Sequence, residues 1–208
     1  MNIGSWFTSR KSDDQPVLPA AFTGIGTVML TDVSNFAQSA QDMVPTVIVA
    51  EMNRHLEHVL KTVRSHGGEV NRYVGSACVA CWRDIESDGS GQHARRAYAA
   101  SQEIITSLSA TPSRAPGSKF AVRIDLGSGE LVGQTFGPIK QFQVVGIARA
   151  IADRISRHGT SPDSIIRMSQ YTRQLLDDTE DISEAGSIKR EGLEDLRVFE
   201  WWPARVKA

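Results

Sequence analysis

The chain has 208 residues and is 40% apolar, which suits a single folded domain with a proper core. Its 23 lysines and arginines nearly balance 24 aspartates and glutamates, so bulk charge gives no argument for a nucleic-acid or membrane-surface partner. No run approaches the ~20 apolar residues that a membrane span needs, and the first residues lack a signal-peptide core, so we expect a cytoplasmic protein.

The chain divides into a polar lead-in, residues 1–20, predicted to be flexible, and a domain at 21–208. An apolar run predicts a buried strand at Gly24–Asp32, and apolar residues three and four apart predict a helix at Val44–Val63. The later predicted elements are strands Glu69–Val74 and Ala77–Trp82, a helix His93–Leu108, strands Ala121–Leu126 and Glu130–Phe136 joined through Gly127–Gly129, a strand Phe142–Val145, a helix at about 147–157, a strand Ser164–Ile166, a helix Gln170–Leu176 capped by Ser169, and a strand-like stretch at 187–202. This alternation with short connections predicts an α/β layered fold.

Two cysteines and two histidines have spacings that suggest metal or redox chemistry. Cys78 and Cys81 form a C-x-x-C, but the stretch around them alternates like a strand, which places the two thiols on opposite faces. We therefore expect buried, reduced core cysteines. His55 and His58 lie one helical turn apart and are expected to flank the core-facing stripe, so they offer no metal-ligand pair.

Five segments together resemble the catalytic domain of class III nucleotidyl (adenylate and guanylate) cyclases, and the chain is similar to a divergent member of that family. The segments are TDVSNF, HGGEVNRYVG, AVRIDLGSGELVGQ, VVGIARAIADRIS and IKREGLEDLRVFEW, and the resemblance covers about residues 22–203. It implies an α/β (α+β) fold with a ferredoxin-like core and an antiparallel or mixed central sheet flanked by helices. It also implies a homodimer, because class III active sites form between two such domains, with a nucleotide or small ligand in the dimer cleft.

The resemblance implies a metal site that this sequence fills only in part. Asp32 matches the family's first metal aspartate, while Ser76 stands where the second aspartate follows the turn glycine. Cyclisation uses two divalent ions, and Mg²⁺ prefers carboxylate ligands, so a neutral hydroxyl weakens the site. Asp125 is either a substitute carboxylate or a buried hydrogen-bond acceptor. Asp32 itself has the alternative role of a plain helix N-cap.

Three residues are candidates for substrate binding, although none is the residue typical of the family at a base-contacting position. Arg72 replaces a base-recognising lysine, keeping the charge but changing the geometry. Ile147, after Gly146, replaces a polar base-contacting residue and cannot hydrogen-bond a base edge. Phe36 lies in the segment after Asp32 that would open a helix with its N–H groups toward phosphates.

The family's transition-state pair is an asparagine and an arginine four residues apart on one helix face. Here the positions hold Ala150 and Arg154, so Arg154 is the retained catalytic candidate, with a surface arginine or a partner for Asp153 or Asp177 as the alternative. A phosphate-binding lysine is replaced by Glu191, and Lys189, two residues earlier on the same strand face, is the alternative substitute for it.

These replacements predict a pseudoenzyme: a cyclase-homology domain that has lost catalysis and acts in signalling by dimerisation or by binding a nucleotide or ligand in a regulatory role. The alternative is an active nucleotidyl cyclase that makes a cyclic nucleotide with an atypical metal site and base pocket. A third interpretation is a structural dimerisation module for a protein partner. Mg²⁺ or Mn²⁺ is expected only if nucleotide chemistry remains, and no nucleic-acid or membrane partner is expected.

Overall fold

A computed structural model describes residues 20–34, 36, 40–41, 43–85, 89–110, 121–138, 140–159, 163–177 and 181–203. The lead-in predicted at residues 1–20 lies almost wholly outside the described residues, so its boundary with the domain stays a prediction. None of the helices in these ranges is long and apolar enough to cross a membrane.

Eight strands and four helices follow one another along the described chain. They are β1 (Phe22–Val33), α1 (Pro45–Ser65), β2 (Glu69–Val74), β3 (Ala77–Arg83), α2 (Gln92–Ala110), β4 (Val122–Phe136), β5 (Gln141–Gly146), α3 (Ile147–Ser156), β6 (Ile165–Ser169), α4 (Gln170–Gln174), β7 (Ile182–Arg190) and β8 (Leu193–Trp201). Pro45 occupies the first turn of α1, where its missing N–H costs nothing. Ser169 accepts a hydrogen bond from the Thr172 amide, which confirms the predicted cap of α4.

The strands form one mixed sheet in the order β2-β3-β1-β4-β6-β8-β7, with β5 paired to the second half of β4. The β4–β6 pair is parallel and the other pairs are antiparallel. The predicted α/β (α+β) class with a mixed sheet and flanking helices is confirmed.

One prediction of a strand boundary was wrong. The Gly127–Gly129 segment does not separate two strands, because β4 runs through it without a break and pairs with β1 from Val122 to Gly133. The final stretch is extended, as predicted, and forms a hairpin of β7 and β8 that turns at Glu191 and Gly192, where Gly192 has φ +75°.

Each face of the sheet carries its own apolar cluster. The face we call the helical face packs against α1 and α2 and includes Met29, Cys78 and Ile104. The opposite face, the α3 face, packs Val28 and Cys81 against α3. The two cysteines are free and lie on opposite faces, as expected, and burial raises the pKa of each thiol to about 12.

His55 is not at the flank of the core-facing stripe, as the sequence indicated, but inside it. Only 1% of the residue is exposed, and neither ring nitrogen has a hydrogen-bond partner. Burial, with a smaller contribution from His58, lowers the pKa of His55 to about 4. A neutral imidazole is therefore built into the helical face.

A second buried histidine ends a chain of hydroxyl groups through the helical face. His93 Nδ1 lies 2.8 Å from Thr27 Oγ1, which lies 2.7 Å from Ser128 Oγ. Thr172 Oγ1 donates to Ser128 Oγ at 2.9 Å, and Ser169 Oγ lies 2.9 Å from Thr172 Oγ1. All five residues are buried, and they connect α2, β1, β4, β6 and α4.

Glycines allow α3 to approach the sheet closely. A Cβ at Gly127 would lie 2.4 Å from the Ala148 carbonyl oxygen and 2.7 Å from the Ala152 nitrogen. A Cβ at Gly129 would lie 3.2 Å from the Ile147 side chain. The glycines that suggested a strand break are therefore the surface against which α3 packs, and we call Gly127 and Gly129 the seat of α3. This helix carries the candidate catalytic residue Arg154.

Candidate nucleotide-cleft residues

Asp32 and Ser76 meet at the end of β1 next to the β2–β3 turn. Ser76 Oγ donates a hydrogen bond to Asp32 Oδ1 at 2.6 Å, and the Val33 amide donates to the same oxygen at 2.8 Å. Gly75 makes the turn with φ +60°, a conformation that favours glycine. The sequence thus placed these two residues correctly beside each other, and the serine hydroxyl already satisfies the carboxylate.

Asp125 lies one strand away from Asp32 on the α3 face. Cross-strand pairing sets Asp32 opposite Arg123, and Leu30 opposite Asp125, and Asp125 is in turn beside Arg167 of β6. Asp125 Oδ1 accepts a hydrogen bond from Arg167 Nε at 2.8 Å. Arg123 Nε lies 3.3 Å from Asp125 Oδ2, an ion pair without hydrogen-bond geometry.

The two arginines also hold the end of α3. Arg167 donates to the carbonyl oxygens of Ile155 and His158, and Arg123 donates to that of Gly159 at 3.3 Å. Cations are favoured there because the carbonyl end of a helix carries partial negative charge. Burial raises the pKa of Asp125, and the Arg167 guanidinium opposes that shift. Since arginines stay protonated, we take the carboxylate between them as ionised.

Arg123 and Arg167 were not singled out from the sequence. A signal was present, because RIDLGSG places charges two residues apart in an otherwise apolar strand, and a buried strand face tolerates a charge only with a partner. Asp125 was considered as a second metal ligand. Its engagement with two arginines identifies it instead as the buried hydrogen-bond acceptor that was the other interpretation.

The residues predicted to bind substrate lie at separate places. Arg72 is half-buried on β2, opposite Val79, and therefore belongs to the α3 face with Leu30. Phe36 is half-buried beyond the end of β1. Ile147 begins α3 and is 55% exposed. Their role in substrate binding stays a prediction.

The Arg154 guanidinium reaches β7, at the far edge of the sheet from Asp32 on β1. Its guanidinium donates to the Ile188 carbonyl oxygen of β7 at 2.6 Å, while Asp153 and Asp177 pair with other arginines. Four strand spacings separate β1 from β7, roughly 19 Å at about 4.8 Å each. A single chain therefore does not bring Arg154 and Asp32 together.

The residues do not fit a two-metal centre. Ser76 contributes a neutral oxygen whose hydrogen is given to Asp32, and Asp125 is committed to arginines. Glu69, on the same strand as Arg72, pairs with Arg83 at 2.6 Å. Within the described ranges, no group of three acidic, histidine or cysteine side chains is arranged to hold a metal ion.

A pocket of about 390 Å³ lies at the other end of β2, away from Ser76. Its lining includes Arg64, Glu69, Cys81 and Val144. Asn71, the extra residue at the bulge of β2, bridges this edge to β5 by pairing with the backbone of Phe142 and Val144 at 3.3 and 3.4 Å. The sequence did not predict this pocket.

The mixed sheet, the helix seated on its glycines and the Asp32–Ser76 turn define a domain of the class III nucleotidyl cyclase type. The chain belongs to the family described as the adenylate and guanylate cyclase catalytic domain, whose family model matches residues 21–201.

Solved structures with the same fold include both adenylyl and guanylyl cyclases. The adenylyl cyclase CyaB from P. aeruginosa is 18% identical, with a TM-score of 0.75, and the match covers 91% of this chain and 100% of that one. The guanylate cyclase domain of RhGC from Catenaria anguillulae, in complex with GTP, is 17% identical with a TM-score of 0.72, covering 88% of this chain and 98% of that one. Identities this low support the fold alone. No curated protein matched the chain.

Proposed function

We propose that the protein is a catalytically silent cyclase-homology domain that acts in regulation as a homodimer, with the inter-subunit cleft able to take a nucleotide or small ligand. The observation that carries the proposal is the Ser76–Asp32 hydrogen bond of 2.6 Å at the place where two carboxylates would face two divalent ions.

The neighbouring groups support the same conclusion. Replacing a carboxylate by a hydroxyl removes one negative charge where two dications would lie, and Asp125 cannot supply it because it already neutralises Arg167 and Arg123. Ala150 has no polar side chain, and Glu191 brings a negative charge where the family has a lysine. Each lost electrostatic stabiliser is worth about 10²–10³ in rate, so the losses together leave little turnover.

The dimer is supported by distance and by exposed apolar surface. Within one chain the Arg154 guanidinium contacts β7, four strand spacings from the strand that carries Asp32, so a cleft that uses both needs a second subunit. Val145 and Ile147, at the end of β5 and the start of α3, are exposed apolar side chains that a partner would cover. Two free, buried cysteines also agree with a reducing, cytoplasmic location.

The test is a cyclase assay on the purified 208-residue chain with Mg²⁺ or Mn²⁺ and each of the four ribonucleoside triphosphates. We expect no cyclic nucleotide above a protein-free blank. Robust formation that Asp32→Ala abolishes would overturn the proposal and establish the alternative, an active cyclase with an atypical metal site. Cyclic nucleotide formation that is the same with Asp32→Ala would indicate a contaminating cyclase. The activity of the Asp32→Ala preparation would then be subtracted as the background.

Calorimetric titration separates the two regulatory versions of the proposal. Nucleotide binding without turnover supports a ligand-sensing cleft. Absence of binding, together with a dimer in sedimentation analysis, supports the structural dimerisation module.

A further inference from the structure

The α3 face contains a small arginine cluster whose anion is part of the chain. Arg167 and Arg123 both approach Asp125, at 2.8 and 3.3 Å, and the side chains of the three are 9%, 13% and 2% exposed. Two permanent positive charges therefore share one buried carboxylate. Such charges are stable away from water only when an anion or several acceptors compensate them.

In the described part of the chain, the other hydrogen bonds of the two arginines go to neutral acceptors. They are the carbonyl oxygens of Ile155, His158 and Gly159, at the end of α3 and just after it. Carbonyl dipoles compensate only part of a full charge, so Asp125 is the anion that both guanidinium groups contact. The neighbouring Asp32 carboxylate accepts from Ser76 and the Val33 amide. One oxygen of the Asp125 carboxylate accepts from Arg167 and the other lies in ion-pair contact with Arg123. Guanidinium groups also bind free carboxylate and phosphate ions, so the same two side chains can hold a small anion in place of Asp125.

The cluster is also close to Asp32 and near the surface. Arg123 is the direct cross-strand neighbour of Asp32, its side chain is 13% exposed, and Gly159, which it contacts, is exposed. We therefore expect a small ion to reach the position of the Asp125 carboxylate if that carboxylate is removed.

We infer that Asp125 is a built-in substitute for a bound oxyanion, so that the arginine cluster is occupied permanently and α3 is held in place without any ligand. This inference deepens the proposed function, because a domain whose arginines are saturated by its own carboxylate keeps the seat of α3 fixed whether or not the cleft is filled. Removing the carboxylate converts the cluster into a site for a small oxyanion such as formate or inorganic phosphate.

Chemical rescue tests the inference on the full chain. Asp125→Ala should lower the melting temperature in chloride by roughly 10 °C, the scale of removing one partner of a buried ion pair in a domain of this size. Replacing chloride with formate or phosphate at equal ionic strength should restore about half of that loss, in a saturable way. The wild type should gain no more than the general stabilisation that such salts give.

Two matched variants identify the source of any rescue. Glu184→Ala removes a carboxylate that also pairs with an arginine, Arg197, at 2.6 Å, but on an exposed part of β7 and β8, so it should show little loss and no specific rescue. The double variant Asp125→Ala with Arg167→Met should lose the rescue, because the cluster then lacks the cation that holds the anion.

Equal melting temperatures of Asp125→Ala in chloride, formate and phosphate, after correction by the wild type, would overturn the inference. Rescue of the same size in Glu184→Ala would overturn it as well. If Asp125→Ala does not fold in chloride, refolding in formate decides: recovery of folded protein supports the built-in anion, and continued failure refutes it. No metal or nucleotide is present, so this result is independent of the cyclase assay.

Discussion

Restoring the missing carboxylate by Ser76→Asp tests the geometry of the Asp32 turn most directly. The serine hydroxyl is 2.6 Å from Asp32 Oδ1, so an aspartate there places two carboxylates within about 4 Å of each other. At an effective dielectric constant of about 20 that pair repels by about 4 kcal/mol, and the half-exposed position reduces this toward about 2 kcal/mol. At about 2–4 °C per kcal/mol for a domain of this size, the melting temperature in a chelating buffer should therefore fall by roughly 4–8 °C.

Manganese should reverse the loss, because two facing carboxylates form the ligand pair that a divalent ion needs. At a concentration about 100 times its dissociation constant, a metal that binds only the folded state contributes about 2.7 kcal/mol. The assay is thermal unfolding in EDTA and in increasing Mn²⁺. Ser76→Asn is the matched neutral control and should show neither effect, nor should the wild type. If Ser76→Asp is as stable as Ser76→Asn in EDTA and does not respond to Mn²⁺, the two side chains do not face each other and the reasoning fails.

Three further predictions concern acid stability, packing and assembly. Since the pKa of folded His55 is about 4, below the usual 6.5, stability should fall as pH drops below 6.5; His55→Leu should remove about 2 kcal/mol of the loss between pH 7 and pH 5 in urea unfolding, and an unchanged slope would contradict this. Gly127→Ala should lower the free energy of unfolding by about 1–3 kcal/mol or more because its Cβ would meet the backbone of α3, whereas Gly24→Ala, with nothing within 4 Å, should be neutral. Equal melting temperatures of the two variants would show that α3 does not pack closely on Gly127. Ile147→Glu should convert the proposed dimer to a monomer in sedimentation analysis, while a charge at Val49, 59% exposed on α1, should not; a dimer that survives both would place the interface elsewhere.

Local features of the sequence predicted most of the fold. The β2–β3 turn was readable because Gly75 needs a positive φ between two alternating stretches, and α1 was readable from its apolar spacing. Gly127 and Gly129 misled the prediction, since a glycine that breaks a strand and one that makes room for a helix look alike until the helix is placed. The helix that requires glycine at these two positions is α3, about twenty residues later in the chain.

The candidate site was predictable only where the family resemblance supplied the pairing. Asp32 and Ser76, 44 residues apart, were placed together through the order of strands that the resemblance implied. Arg167 and Ile188, the partners of Asp125 and Arg154, were not predicted, because no motif marks them and these contacts depend on how β6, β7 and α3 pack. Long-range partners of buried charges depend on the packed structure and leave only a weak signal in a single sequence.

The hydrogen bonds of the hydroxyl chain in the helical face can all run in one direction, from Ser169 to His93. Thr172 donates to Ser128, so the arrangement that gives every hydroxyl hydrogen a partner runs from Ser169 through Thr172, Ser128 and Thr27 to His93 Nδ1. His93 must then be the neutral tautomer with its proton on Nε2, and burial, which lowers its pKa, acts in the same direction. Nitrogen-15 spectra at neutral pH should show an unprotonated Nδ1, and a protonated Nδ1 would contradict this direction. Protonating His93 would reverse the direction of each hydrogen bond in turn and leave the Ser169 hydroxyl hydrogen without a partner in this hydroxyl chain. The charge of a histidine on α2 is therefore coupled to Ser128, which lies between the two glycines against which α3 packs.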